Sequence, residues 1–379
     1  MNVIVIPSIR PSFLKGRIFC FYRLCLSVFD NLKENMMKKK LKSYAMPISI
    51  IGCVLLMYLC AIVGITAIPF GDANRILLHE VLHIPVNMEG ISPGSIAIIW
   101  NVRLPRVILG FLTGGALAVC GSAYQGIFKN PMADPFILGV SSGAALGASI
   151  GIVMNFSASL LGLNGTAILA FIGSFLTIFL VYSISRVGRK VPVASLLLSG
   201  IAVGQSLSAF MSLLMIFNVQ SMNQIMFWTM GSLNGKGWNQ VLIVLPYVIV
   251  GLMILFTSLR ELDIMLLGED TATQLGVNTE ALKKKILISS SIITAAVVSV
   301  TGIIGFVGLV VPHVVRMLTG PKHRILVPFS LVFGGTFLIL CDTLARTVSS
   351  QEIPVGIITA AFGGPFFIYL LRKSKKGSA

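Results

Sequence analysis

Residues 103–151 read RLPRVILGFLTGGALAVCGSAYQGIFKNPMADPFILGVSSGAALGASIG, and they leave this chain little choice of fold. The first part is a run of roughly 24 mostly apolar residues, enough at 1.5 Å per residue to cross a hydrocarbon core about 30 Å thick. It shows none of the two-residue alternation of a half-buried strand. Asn130-Pro131 and Asp134-Pro135 then break the run, because each proline disfavours a helical residue before it. Asp134 and Pro135 also form the N-cap and first-turn pair that starts a new helix. Beyond them Gly139, Gly143, Gly147 and Gly151 recur every four residues, a bare stripe on which another backbone can approach closely. The stretch is predicted to be a helical hairpin in lipid.

The rest of the chain agrees. With 55% hydrophobic residues, 11% charged residues and a mean hydropathy of +0.92, it is too apolar for a soluble domain of 379 residues. The six cysteines form no CxxC and lie mostly in apolar runs, where a thiol acts as a small hydrophobe. The net charge of +16 raises the question of nucleic acid, and its placement answers it. Residues 1–43 carry nine Lys and Arg against Asp30 and Glu34, and the tail adds Arg372, Lys373, Lys375 and Lys376. On the topology read below, the excess falls on one side of a membrane and the opposite loops sum to neutrality. That is the positive-inside asymmetry, not a nucleic-acid footprint.

The segments predict an all-α, polytopic membrane protein with about ten spanning helices. The spans are predicted at residues 45–68, 103–128, 136–155, 166–185, 193–217, 240–259, 286–303, 305–319, 325–345 and 355–371, with both termini cytoplasmic. Three cations after the fourth span, Arg186, Arg189 and Lys190, mark the inside. A short external helix is expected between residues 218 and 239, with Trp228 and Trp238 at the membrane interface. The chain divides into a basic N-terminal extension (1–43), a ten-helix membrane domain (44–371) and a basic cytoplasmic tail (372–379). Two readings of the extension stand: a basic amphipathic segment on the membrane surface, or a leader before a start at Met36 or Met37.

Two patterns are set aside. His79-Glu80-Val81-Leu82-His83 matches HExxH, but Pro85 stops the helix and no third ligand stands at a familiar spacing, so no metal site is expected. No GxxxxGK[ST] is present, and GSLNGKG at 231–237 has the wrong glycine spacing. The chain is therefore expected to catalyse nothing and to hold no cofactor. The fifth span is rich in small polar residues, among them Ser195, Ser199, Gly200, Gly204 and Gln205. Such a helix either packs closely against a neighbour or lines a water-accessible path. Residues 261–282 form an amphipathic internal loop, a pattern that on its own reads as a solvated connection. Asp342 and Arg346, four apart on one helix face, would suit an ion pair.

RLPR followed by YQGIFKNPMADPFILGVSSGA, then GEDTATQLG at 268–276 and GFVGLVVPHVVRMLTGPKHR at 305–324, carry a resemblance. Over residues 45–371 the chain closely resembles permease subunits of type II ABC importers, the FecCD family, which moves iron-siderophores, haem and cobalamin. The resemblance implies a homodimer with solute passing between protomers, an extracytoplasmic solute-binding protein, and two copies of an ABC ATPase holding ATP and Mg. It implies docking of the binding protein on Arg103, Arg106 and Arg346, whose planar forks suit carboxylates. It implies coupling to the ATPase through Leu266, Gly268, Glu269, Ala272, Leu275 and Gly276. The fifth helix is implied to face the dimer axis, with Pro192, Val193, Ala194, Ser195, Ser199 and Gln205 as pathway or gate residues. Asn130, Pro131, Asp134, Pro135, Gly139 and Gly143 are the structural positions of the hairpin. Iron-siderophore is the first choice of cargo, with haem and cobalamin as alternatives. A reading of another class is an ion-coupled secondary transporter, which would need carboxylates mid-membrane; here Asp and Glu fall at loops or helix ends.

Overall fold

The computed structural model describes residues 41–156, 159–160, 163–188, 190–349 and 351–376. Most of the N-terminal extension, Arg189 and the last three tail residues lie outside the described residues. The chain divides after Ile48 into two units, and the second, Ser49–Ala379, carries the fold. Of the first, Met1–Ile48, residues 41–48 are the opening turns of a helix.

The helices follow in order: α1 (Leu41–Ile62), α2 (Phe70–Leu82), α3 (Pro93–Ile127), α4 (Val140–Val153), α5 (Gly165–Ser185), α6 (Val193–Phe217) and α7 (Val219–Thr229). Then come α8 (Trp238–Thr257), α9 (Leu259–Met265), α10 (Glu269–Gln274), α11 (Thr279–Thr301), α12 (Val307–Thr319), α13 (His323–Thr347) and α14 (Val355–Lys376). Among the described residues seven helices are long and apolar enough to cross a membrane: α1, α3, α5, α6, α8, α11 and α13. The shorter apolar helices α4, α12 and Val355–Ile368 of α14 fall where the remaining spans were expected. Two two-residue strands, Ser159–Leu160 and Leu163–Asn164, are the antiparallel exception between α4 and α5.

Several boundaries differ from the sequence reading for local reasons. The first span stops at Ile62 because the Arg103 guanidinium reaches its end: Nη1 donates to Ile62 O at 2.5 Å and Nη2 to Thr66 O at 2.6 Å. Helix ends leave carbonyls without partners, and a cation there is favourable. The second span begins ten residues early, at Pro93, with Ser92 accepting from Ser95 N as its cap, and passes through a π-helical segment at Ile98–Arg103. Asp134 and Pro135 start a 3-10 turn, Pro135–Leu138, rather than α4 itself; Gly139 at φ +76° separates the two. The seventh span starts at Thr279, so Lys283, Lys284 and Lys285 are helical rather than in a loop.

The centre of the molecule is α3, α11 and α13. In their most apolar windows 83%, 78% and 61% of the residues are buried, against 11% for α6, which separates a core from a periphery. Backbone contact holds this core. A Cβ on Gly114 of α3 would lie 2.2 Å from Gly334 O of α13, and one on Gly121 would lie 1.8 Å from Gly308 O of α12. The Gly143 and Gly147 stripe of α4 packs likewise on α5, where an added Cβ would meet Thr177 Oγ1 and Leu169 O at 2.1 Å each. A side-chain methyl at any of these positions would force the helices apart, so the close packing depends on glycine.

Candidate functional site

Contacts define two ends of the bundle. At one end, called here the arginine end, the three arginines singled out in the sequence come together. Arg106 grips Asp342 with two nitrogens, Nε to Oδ2 and Nη2 to Oδ1, each at 2.9 Å, and its Nη1 donates to Glu352 Oε2 at 2.8 Å. Arg346 donates to Cys60 O and, at 3.3 Å, to Thr343 Oγ1. The spacing that suited an Asp342–Arg346 pair is thus overruled: Asp342 is bound by Arg106, from 236 positions away. Planar bidentate pairing wins because it satisfies both carboxylate oxygens at once. All three arginines are 4% exposed, so their charged heads lie beneath the surface rather than on it. Nearby, Trp238 Nε1 donates to Trp100 O at 2.9 Å and the two ring centroids lie 5.2 Å apart with the planes tilted by 48°.

His79 and His83 lie toward the same end and do not converge. Helix α2 ends at Leu82, His83 turns into the left-handed region at φ +51°, and His79 Nδ1 sits 3.1 Å from Glu80 Oε1. No cluster of three potential ligands occurs among the described residues.

The opposite end, the loop end, carries α9 and α10. Gly268 at φ +122° separates them and Gly276 at φ +86° follows α10, conformations that cost glycine little and other residues much. Leu262, Met265 and Ala272 anchor the pair inward, and Asp263 accepts a hydrogen bond from His323 N at the start of α13. Leu266, Leu267 and Leu275 point outward, 41%, 65% and 59% exposed, outside any spanning helix. Exposed leucines outside any spanning helix are unusual enough to single this segment out.

The hairpin turn approaches this end too. Asn130 Oδ1 accepts from Met132 N at 2.9 Å, and Asp134 Oδ1 accepts from Phe136 N at 2.8 Å. Pro131 is exposed and Pro135 buried. Gln125 Nε2 ties the turn inward by donating to Leu309 O at 3.1 Å, a contact no local signal announces. Burial pushes the Asp134 carboxyl up to about 6 despite the hydrogen bond from Phe136.

Helix α6 is the least covered long helix. Leu196, Gly200 and Gly204 face inward, where Gly200 lies against Ile137 O of the hairpin turn. Outward it presents Leu198, Ile201, Phe210, Leu213 and Ile216 together with Ala194, Ala202, Gln205, Ser206 and Ser212, with Pro192 exposed at its start and Val193, Ser195 and Ser199 half-buried. Ser206 and Ser212 donate to the carbonyls of Ala202 and Ser208, each at 3.0 Å. The outer face is mixed: large apolar side chains suit lipid or another apolar surface, and Gln205, Ser206 and Ser212 lie among them.

The description FecCD transport family fits residues 49–373, including every segment just described except the opening of α1. The chain belongs to the FecCD transport family. Similar proteins include one named a cobalamin import system permease from Halobacterium salinarum, 45% identical over 283 residues, which are 75% of each chain. A hemin transport system permease from Yersinia pestis is 43% identical over 73% of this chain and 84% of its own. A solved structure of an inward-facing metal-chelate type ABC transporter superposes with a TM-score of 0.76 at 30% identity, covering 87% of this chain and 99% of that one. This FecCD chain is accordingly a multi-pass membrane permease of the ABC-importer kind, a transport component and not an enzyme.

Proposed function

We propose that the chain is the membrane-spanning subunit of an ATP-driven importer in the cytoplasmic membrane, taking up an iron(III)-siderophore complex. The observation that carries this reading is the exposed Leu266, Leu267 and Leu275 surface on short helices at the loop end of a FecCD permease. That end is cytoplasmic by its cations, Lys129, Arg186, Lys190, Arg260, Lys284, Lys322 and Arg324 among them. Two ATPase subunits, with ATP and Mg, dock there on Leu266, Gly268, Glu269, Ala272, Leu275 and Gly276. A second permease copy covers α6, and solute passes along Ser195, Ser199 and Gln205, with Pro192, Val193 and Ala194 at the gate. The sparse burial of α6, with Leu198, Ile201, Phe210 and Leu213 exposed beside Gln205 and Ser206, supports this.

A solute-binding protein meets the arginine end. Because Arg106 is already bound to Asp342 and Glu352, an incoming carboxylate has to displace one of them. Glu352 lies in a loop and is the more exposed of the two. We place it as the stand-in that a binding-protein carboxylate replaces, with Arg103 and Arg346 holding the surrounding backbone.

Haem or cobalamin is the second reading of the cargo, favoured by the two relatives above 40% identity, which are named for hemin and cobalamin. Relatives named for iron(III)-citrate and iron(III)-hydroxamate import favour the first. In every case the named cargo is a bulky metal chelate. The test is uptake into vesicles holding the permease, its ATPase and its binding protein, with labelled ferric siderophore, haem and cobalamin offered in turn. ATP-dependent uptake of the siderophore that persists with an uncoupler is expected. Uptake that needs the ion gradient instead of ATP would transfer the chain to the secondary transporters.

A further inference from the structure

Lys283 lies in the first turns of α11 and is 6% exposed, yet it is held by residues from two different elements. Its Nζ donates to Glu269 Oε1 at 2.5 Å, on the first residue of α10, and to Glu280 Oε1 at 3.1 Å. The other oxygen of Glu280, Oε2, accepts the backbone N–H of Val191 at 3.0 Å. Val191 is buried and directly precedes Pro192, the N-cap of α6, whose carbonyl accepts the first bond of that helix from Leu196 N at 3.0 Å. One ammonium and two carboxylates therefore join α10, α11 and the entry to α6 in an unbroken hydrogen-bonded line.

Sequence proximity accounts for only one part of this line. A Glu and a Lys three apart on a helix meet in many proteins and contribute little. The reach from Lys283 to Glu269 spans 14 positions and that from Glu280 to Val191 spans 89, so the fold has brought three separate segments to one charge. Burying an ammonium is costly unless its partners are fixed, and here any displacement of α10 pulls on the group that holds Val191. Val187 and Lys190 exchange both backbone hydrogen bonds, at 3.0 and 3.1 Å, closing a tight turn just before Val191. The segment ahead of α6 is thereby a compact piece with a defined handle, not a slack loop.

We propose that Lys283 is a positioning residue that transmits displacement of α10 to the N-terminus of α6 through Glu280. The proposal rests on the reading of α10 as an ATPase contact and α6 as a gate helix, and adds the physical link between them. Coupling between sites needs contiguous groups that both sites bias, and these contacts supply one.

The test compares Lys283→Met and Glu280→Ala with the wild-type permease, each assembled with its ATPase and binding protein in vesicles. Both ATP hydrolysis and solute uptake are measured. The line predicts at least a tenfold rise in ATP consumed per solute for each variant, with ATPase retention on the permease unchanged. The double variant should be no worse than the worse single one, since both cut the same line. Glu280→Gln keeps an acceptor for Val191 and should retain at least half the wild-type coupling. A Lys283→Met complex with the wild-type ratio overturns the proposal. If that variant does not assemble, Glu280→Ala decides alone, and a wild-type ratio there overturns it equally. Failure of the broader reading looks different: the wild-type assembly itself would then show no ATP-dependent uptake.

Discussion

Arg106, Asp342 and Glu352 show how a charged group is tolerated at a membrane edge. The Arg106–Asp342 pair is enclosed and bidentate, whereas Glu352 adds a third, looser contact from a loop. Arg106→Ala leaves Asp342 buried without its cation, and is expected to cost about 3–5 kcal/mol of stability. Glu352→Gln leaves that pair intact, so unfolding in detergent should separate the two variants clearly. Glu352→Ala, which removes the acceptor from Arg106 Nη1, should bind the solute-binding protein more tightly at low salt than wild type does; binding equal to wild type would remove the stand-in role. Asp134 gives a pH signature. Its carboxyl is raised from 3.8 to about 6 in the fold, so the stability it contributes is whole below about pH 4 and is lost as pH rises through about 6. Asp134→Asn keeps the cap to Phe136 N and should flatten the dependence of thermal unfolding over that window.

At the scale of elements, the proposed ATPase contact on the loop-end pair α9–α10 makes its own predictions. Leu267→Asp together with Leu275→Asp touches only exposed positions, so insertion should survive while co-purification of the ATPase is lost. Gly276 has open space around it but φ +86°, so Gly276→Ala brings strain of about 1–3 kcal/mol without a clash. Transport is expected to fall while the protein still reaches the membrane, as uptake and membrane fractionation would show. The sequence carried most of these elements openly. Asn130-Pro131 and Asp134-Pro135 marked the hairpin turn, and the apolar runs marked the helices, because both signals are local. What it concealed is contact between distant segments. The i,i+4 spacing pointed Asp342 to Arg346, and nothing near either residue names Arg106 as the true partner. Lys283 looked like part of a solvated loop, because its burial depends on Glu269 and on the helix starting at Thr279. The π-helical segment before Arg103 had no composition cue, since it adapts the helix to contacts made elsewhere.

For the whole molecule, charge fixes orientation and burial fixes what can move. Cysteine placed at Asn234, exposed near the arginine end, should react with an impermeant maleimide in intact cells. Cysteine at Lys322, at the loop end, should react only after the membrane is opened. The reverse pattern would invert the topology and with it the assignment of the ATPase face. The periphery and the centre also divide the labour of transport. Helix α6 is tied inward along one narrow strip at Leu196, Gly200 and Gly204 and is otherwise little buried, whereas α3, α12 and α13 meet carbonyl to α-carbon at Gly114, Gly121, Gly308 and Gly334. Surfaces so close cannot slide past one another, since the smallest lateral step would drive backbone into backbone. The middle of this protein is in effect a keel, and on the proposed import reading it is the outer staves that are left free to swing about it.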